Sequence, residues 1–212
     1  MYIPRTFAMP ADDQLAEVRA LVAAVHVALL VTVGSDGVPD ATLLPILWEG
    51  DEVVAHLARA NAHWQRVVDG SPGLLVVTGP DAYVSPRWYP SKREHGRVVP
   101  TWNYSAVHLS GPVRVHDDPQ WLRTAVTRLT DHHEERSSGD DEPWTVGDAP
   151  ARYVDGQLRA IVGISMQVTD VQAKAKLSQN RSEADQAGVV AGLRASDDRC
   201  AEAVADAMER PQ

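Results

Sequence analysis

A single cysteine, Cys200, in 212 residues excludes an intrachain disulfide, so packing alone must hold the fold. Long apolar runs are absent too. Val25 to Val33 is interrupted by His26 and ends at Gly34, far short of the roughly 20 residues of a membrane helix. Positive charge is scarce: 20 Lys and Arg against 29 Asp and Glu give a net charge of −9, which repels phosphate backbones and opposes nucleic-acid binding. No charged-then-apolar leader follows Met1, so a cytoplasmic chain with no membrane partner is expected. There is no Gly-x-Gly-x-x-Gly after a strand, no Gly-x-Ser-x-Gly elbow and no zinc-like His/Cys spacing.

What remains is an ordinary globular composition, 44% hydrophobic and 23% charged, enough for one domain over residues 1–212. Asp12 or Asp13 can cap a helix whose apolar positions Leu15, Val18, Val22 and Val25 recur at helical spacing. Val27–Val33 and Ala41–Trp48 flank Gly34-Ser-Asp-Gly37 and read as a hairpin, with Pro45 predicting a bulge or an edge. Further strands are expected at Glu52–Leu57, Leu74–Thr78, Val107–Val115 and Ile161–Val171. Helices are expected at His63–Val68, from Asp117-Asp-Pro119 onward, at Tyr153–Ala160, and as a C-terminal extension over 183–209. Ser85–Pro100, dense in Pro, cations and aromatics, reads as a long loop. About six strands separated by turns and inserted helices predict an α+β, mainly β fold: a six-stranded antiparallel barrel with peripheral helices.

Three polar clusters carry the candidate chemistry. In His56-Leu-Ala-Arg59-Ala-Asn61-Ala-His63-Trp64 the chain leaves a strand for a helix, where amides and Arg59 can hold an anion. The structural alternative is an exposed Arg with Asn61 as a cap. Trp88-Tyr-Pro-Ser-Lys92 and Val99-Pro-Thr-Trp-Asn-Tyr104 bring aromatics that can stack on a planar cofactor or form a dimer contact. Lys174-Ala-Lys-Leu-Ser-Gln-Asn-Arg181 is a cationic, amide-rich turn suited to an anionic ligand or to solvent.

Together with Met1-Tyr-Ile-Pro4, Tyr83-Val-Ser-Pro86 and Ile161-Val-Gly-Ile164, these segments resemble the PaiB family over about residues 1–193. That family is described as FMN-binding split barrels and as negative transcriptional regulators. The resemblance implies a split barrel and a homodimer binding FMN between subunits, a flavoprotein acting as an oxidoreductase on a small-molecule substrate. Carried over, His56, Ala58, Arg59, Asn61 and Lys92 would lie by the cofactor's anionic end. Trp102, Asn103, Tyr104, Lys176, Gln179 and Asn180 would line the rest. One departure stands out: where the family reads Ala-Thr-His-Leu-Pro, this chain has Leu43 in place of the imidazole. A branch of the same family, the piperazate synthases, binds haem b and forms the N–N bond of piperazate from N5-hydroxyornithine. On that alternative His63 or His56 would be the axial iron ligand, Leu43 would face the porphyrin, and Lys92 would serve as a catalytic base.

Overall fold

The structure, a computed structural model, describes residues 1–9, 14–139 and 141–210. Helix α1 (Gln14–Val25) leads into strands β1 (Val27–Val33), β2 (Pro39–Glu49) and β3 (Glu52–Ala58). Short α2 (His63–Arg66) precedes β4 (Pro72–Val84), α3 (Ser91–His95) and β5 (Thr101–His116). The chain continues through α4 (Pro119–Ser137), α5 (Ala151–Leu158), β6 (Ile161–Gln167), β7 (Asp170–Lys176), α6 (Glu183–Arg194) and α7 (Ala201–Glu209). Asp12 and Asp13, the expected caps of α1, lie outside the described residues.

The sheet order β4-β1-β2-β3-β6-β5 closes on itself through a β4–β5 pairing, giving six strands in a ring, with β7 added beside β5. Strands pair antiparallel, from Val27↔Pro45 in the first hairpin to His56↔Gly163 between β3 and β6. Pro45 neither bulges the strand nor ends it. It sits where β2 changes partner, pairing with β1 up to Pro45 and with β3 from Ile46 onward, so its missing N–H falls at a changeover of ladders.

Contacts divide the chain into two compact units, each built from separate stretches of sequence. Residues 22–77 and 108–171 form one. Alternating residues of its strands are buried: Ala28 and Leu30 on β1, Leu44 and Ile46 on β2, Val53, Ala55 and Leu57 on β3, and Val162, Ile164 and Met166 on β6. On the other side of the strands α4 packs Leu129 against Leu47 and Val54. Gly163 leaves room for Trp121: a Cβ there would lie 2.1 Å from the indole. Asp118 caps α4 by accepting from the Trp121 N–H at 2.8 Å.

Residues 1–21, 78–107 and 172–212 form the other unit. Its core joins Ala82, Val84, Tyr89 and Leu177 to Val189 and Leu193 of α6 and Val204 and Ala205 of α7. Gly188 and Gly192 allow α6 to meet Trp88 closely, since a Cβ on Gly192 would lie 2.2 Å from its ring. The expected single extension over 183–209 is two helices. Between them Ser196 and Asp198 turn their side-chain oxygens onto the N–H groups of Asp198 and Cys200, a local bonding pattern that competes with helix. The expected last strand over 161–171 is likewise two, β6 and β7, and the expected loop over 85–100 contains α3.

Candidate functional site

The expected site residues fall into the two units, and each set has its own geometry. In the first unit, β3 delivers His56 and Ala58, and a turn with an Asn61 N–H to Ala58 carbonyl bond at 2.8 Å delivers α2. Arg59 spends four of its five N–H donors there. Its Nε donates to the Arg159 carbonyl at 2.9 Å, one terminal nitrogen donates to the Ile161 carbonyl at 3.0 Å, and both terminal nitrogens hold Asp117. Its own carbonyl accepts from the Trp64 indole at 2.9 Å. The Arg59 fork therefore fastens the end of β3 to the α4 and α5 segments, with its charge already paired to Asp117.

Asn61 caps: its Oδ1 accepts from the His63 N–H at 3.0 Å, and its Nδ2 donates to Thr42 at 3.3 Å. His63 is only 4% exposed. Its Nε2 lies 2.9 Å from the Thr32 hydroxyl and its Nδ1 2.8 Å from the Thr42 hydroxyl, so both ring nitrogens are committed. Burial keeps its pKa below the ordinary histidine value, against the pull of Asp40 and with the help of Arg66. His56 lies on β3 opposite Gly163, on the side that α4 covers, with its Nδ1 buried and without a hydrogen-bond partner; burial lowers its pKa as well. Both nitrogens of His63 are thus engaged by hydroxyls, while neither ring nitrogen of His56 makes a hydrogen bond among the described residues. Leu43 is the opposite case, 64% exposed beside Leu29 on the outer side of the first hairpin.

In the second unit, Asn103 is fully buried, its Nδ2 donating to the Met208 sulfur at 3.4 Å and its Oδ1 accepting from Ser178 at 3.1 Å. It ties β5 to the C-terminal helices. Gln179 folds back on its own strand, accepting from the Leu177 N–H and donating to the Ala175 carbonyl, both at 2.7 Å. With Ser178 in the left-handed region (φ 68°), these bonds fix the turn that presents exposed Asn180 and half-buried Arg181. Lys92 is exposed on α3.

Trp102 is 51% exposed and meets exposed Tyr83 edge to face, ring centroids 6.1 Å apart. Beside this pair Lys176 donates to the Trp102 carbonyl and the Thr101 hydroxyl. Lys174, only 8% exposed, donates to the Tyr104 hydroxyl at 2.8 Å. Burial lowers the pKa of Lys176, and Lys174 and Arg181 lower it further by repulsion. Lys174 and Arg181 lie in the expected cationic cluster without an assigned cofactor contact, and Tyr83 was expected only as part of a family motif. The available signal is the Lys174-Ala-Lys176 alternation, which puts both cations on one side of a strand once β7 is recognised as one.

Residues 1–170 match the model of the family described as "Putative FMN-binding domain". The Bacillus subtilis protein named protease synthase and sporulation protein PAI 2 is 30% identical over 213 residues, covering 99% of this chain and 97% of that one. An uncharacterised Saccharomyces cerevisiae protein is 40% identical over 86 residues, 40% of this chain and 51% of that one. Among solved structures, the flavocytochrome Anf3 of Azotobacter vinelandii superposes with a TM-score of 0.58 at 18% identity, covering 88% of this chain and 78% of that one. An FAD and haem binding protein of Mycobacterium smegmatis gives 0.54 at 19% identity, over 76% and 70%. These two likenesses establish the fold, and the first two matches establish more: the chain belongs to the PaiB-like FMN-binding split-barrel family.

Proposed function

We propose that this protein binds FMN through the Tyr83 and Trp102 side of its second unit and acts as a flavin-dependent oxidoreductase on a small molecule. The observation that carries the reading is the exposed Tyr83–Trp102 pair beside Lys176 and Lys174, flat apolar surface next to cationic donors. Bound FMN would supply hydride or electron transfer. The chain's part is to stack the ring, hold its anionic end and exclude water.

A homodimer belongs to the same reading. The outer side of the first hairpin exposes Leu29, Val33 and Leu43, apolar surface of the kind that a second copy covers. Haem remains the alternative cofactor, supported by the bound groups of the Azotobacter and Mycobacterium proteins. Against piperazate synthesis through His63 stand the two threonines that hold its ring. A role as a transcriptional repressor is opposed by the net charge of −9.

The visible absorption spectrum of the purified protein, reconstituted with FMN and separately with haemin, tests the proposal. A flavin spectrum perturbed on binding, with no Soret band retained after haemin, is expected. A retained Soret band without flavin uptake would overturn it, and incubation with N5-hydroxyornithine would then test the haem chemistry.

A further inference from the structure

The second unit gathers cations with little counter-charge: Asp185 feels the charge of Arg181, and no ion pair reaches Lys174 or Lys176 among the described residues. Lys174 and Lys176 project from β7, and Arg181 follows on the turn fixed by Ser178 and Gln179. Among the described residues none of the three forms an ion pair with a carboxylate, although the chain carries 29 Asp and Glu and pairs six other arginines. (Arg59, Arg66, Arg114, Arg123, Arg128 and Arg194 all have acidic partners.) The acceptors that Lys174 and Lys176 do have are neutral: the Tyr104 hydroxyl, the Thr101 hydroxyl and the Trp102 carbonyl. Arg181 lies 4.7 Å over the ring of Tyr89.

Removing an ammonium from water without a counter-ion is costly, more so when a second cation stands nearby. An ammonium has three N–H donors, so Lys176 keeps one beyond its two bonds and Lys174 keeps two beyond its bond to Tyr104. Lowering of the Lys176 pKa by burial and by its two cationic neighbours is the same tension seen from the proton side. A dianion would relieve it, and a phosphate monoester, with about −1.5 to −2 charge and three acceptor oxygens, matches that demand.

We propose that Lys174, Lys176 and Arg181 form the seat of the ligand's phosphate monoester, with Tyr104 positioning Lys174. The seat rests on the flavin reading for the identity of the ligand and departs from the expectation that placed the anionic end at Arg59. The Arg59 fork is committed to a carboxylate, Asp117, and to two carbonyls, whereas the lysines of β7 bond only neutral acceptors and keep N–H donors.

The test compares FMN with riboflavin, which lacks only the phosphate, by flavin fluorescence quenching on the full chain. FMN binding at least tenfold tighter than riboflavin is expected, with Lys176→Met and Lys174→Met each reducing that FMN-to-riboflavin preference at least tenfold. Lys176→Arg, which keeps the charge, should retain most of the preference, and thermal melts identify any variant that fails to fold. Equal affinity for FMN and riboflavin, or variants that leave their ratio unaltered, overturns the seat while leaving the flavin reading intact. Binding of neither flavin ends that reading, and inorganic phosphate then decides the seat. A saturable change in tryptophan fluorescence at constant ionic strength, absent in Lys176→Met, supports it; no saturable change overturns it.

Discussion

The Nδ1 of His63 lies 2.8 Å from the hydroxyl of Thr42, and the opposite ring nitrogen lies 2.9 Å from the hydroxyl of Thr32, so one imidazole bridges β1 and β2 from inside their unit. Replacing His63 by Ala removes the bridge, opens a cavity and leaves two hydroxyls without their partner. A loss of about 2–3 kcal/mol in unfolding free energy is expected from urea denaturation. A change below about 0.5 kcal/mol would show that the bridge is not structural.

His63 also predicts acid sensitivity. Its pKa is lowered by burial in the folded state, as are those of His56 and His116, so the unfolded chain binds protons more readily. Stability therefore rises with pH across the window below the ordinary histidine value of about 6.5. The contribution is fully present above that value and is lost as pH falls through the depressed folded values. Melting temperatures between about pH 7.5 and 5 should fall, and His63→Gln should flatten part of the slope.

Arg59 separates a structural from a ligand role. Arg59→Lys keeps the charge but loses the fork that spans Asp117 and the carbonyls of Arg159 and Ile161. A lower melting temperature with unchanged FMN affinity is expected from calorimetry and flavin titration. Weakened FMN binding at full stability would return the anionic end of the ligand to Arg59.

Gly163 and Trp121 make a steric prediction. Trp121 lies over Gly163 and stacks on His116, ring centroids 3.8 Å apart and planes 5° apart. Gly163→Ala places a methyl group inside that ring's volume and should destabilise the protein by about 1–3 kcal/mol. Combining it with Trp121→Leu should recover part of the loss, because the two sites share one space.

Leu43→Glu puts a charge on the exposed outer side of the first hairpin. Little change in stability is expected, since Leu43 is 64% exposed, together with a shift from dimer to monomer in sedimentation. A variant that stays dimeric would move the interface elsewhere.

Strands were legible wherever period-2 burial coincided with β-branched residues, as in β1 and β3. They were misjudged where polar residues occupy a strand: Asp170–Lys176 lacks an apolar pattern and becomes β7 through its pairing with β5. Asn61 shows the same limit at the site. Its spacing before α2 was compatible with a ligand or with a cap, and the cap is what the folded chain makes. Arg59 and Asp117 are 58 positions apart, so no local pattern could announce their pairing.

By itself the sequence determined the acidic charge, the single thiol, the ring of short strands and the motifs of the family, because these depend on composition, local periodicity and segment order. Tertiary structure alone decided which polar residues are spent and which are open. His63, Asn103, Arg59 and Gln179 are held by partners that folding supplies, while Lys174 and Lys176 keep N–H donors and bond only neutral acceptors. The physical reason is that a polar side chain's role depends on whether its hydrogen-bonding capacity is satisfied, and that capacity is met by residues distant in the chain.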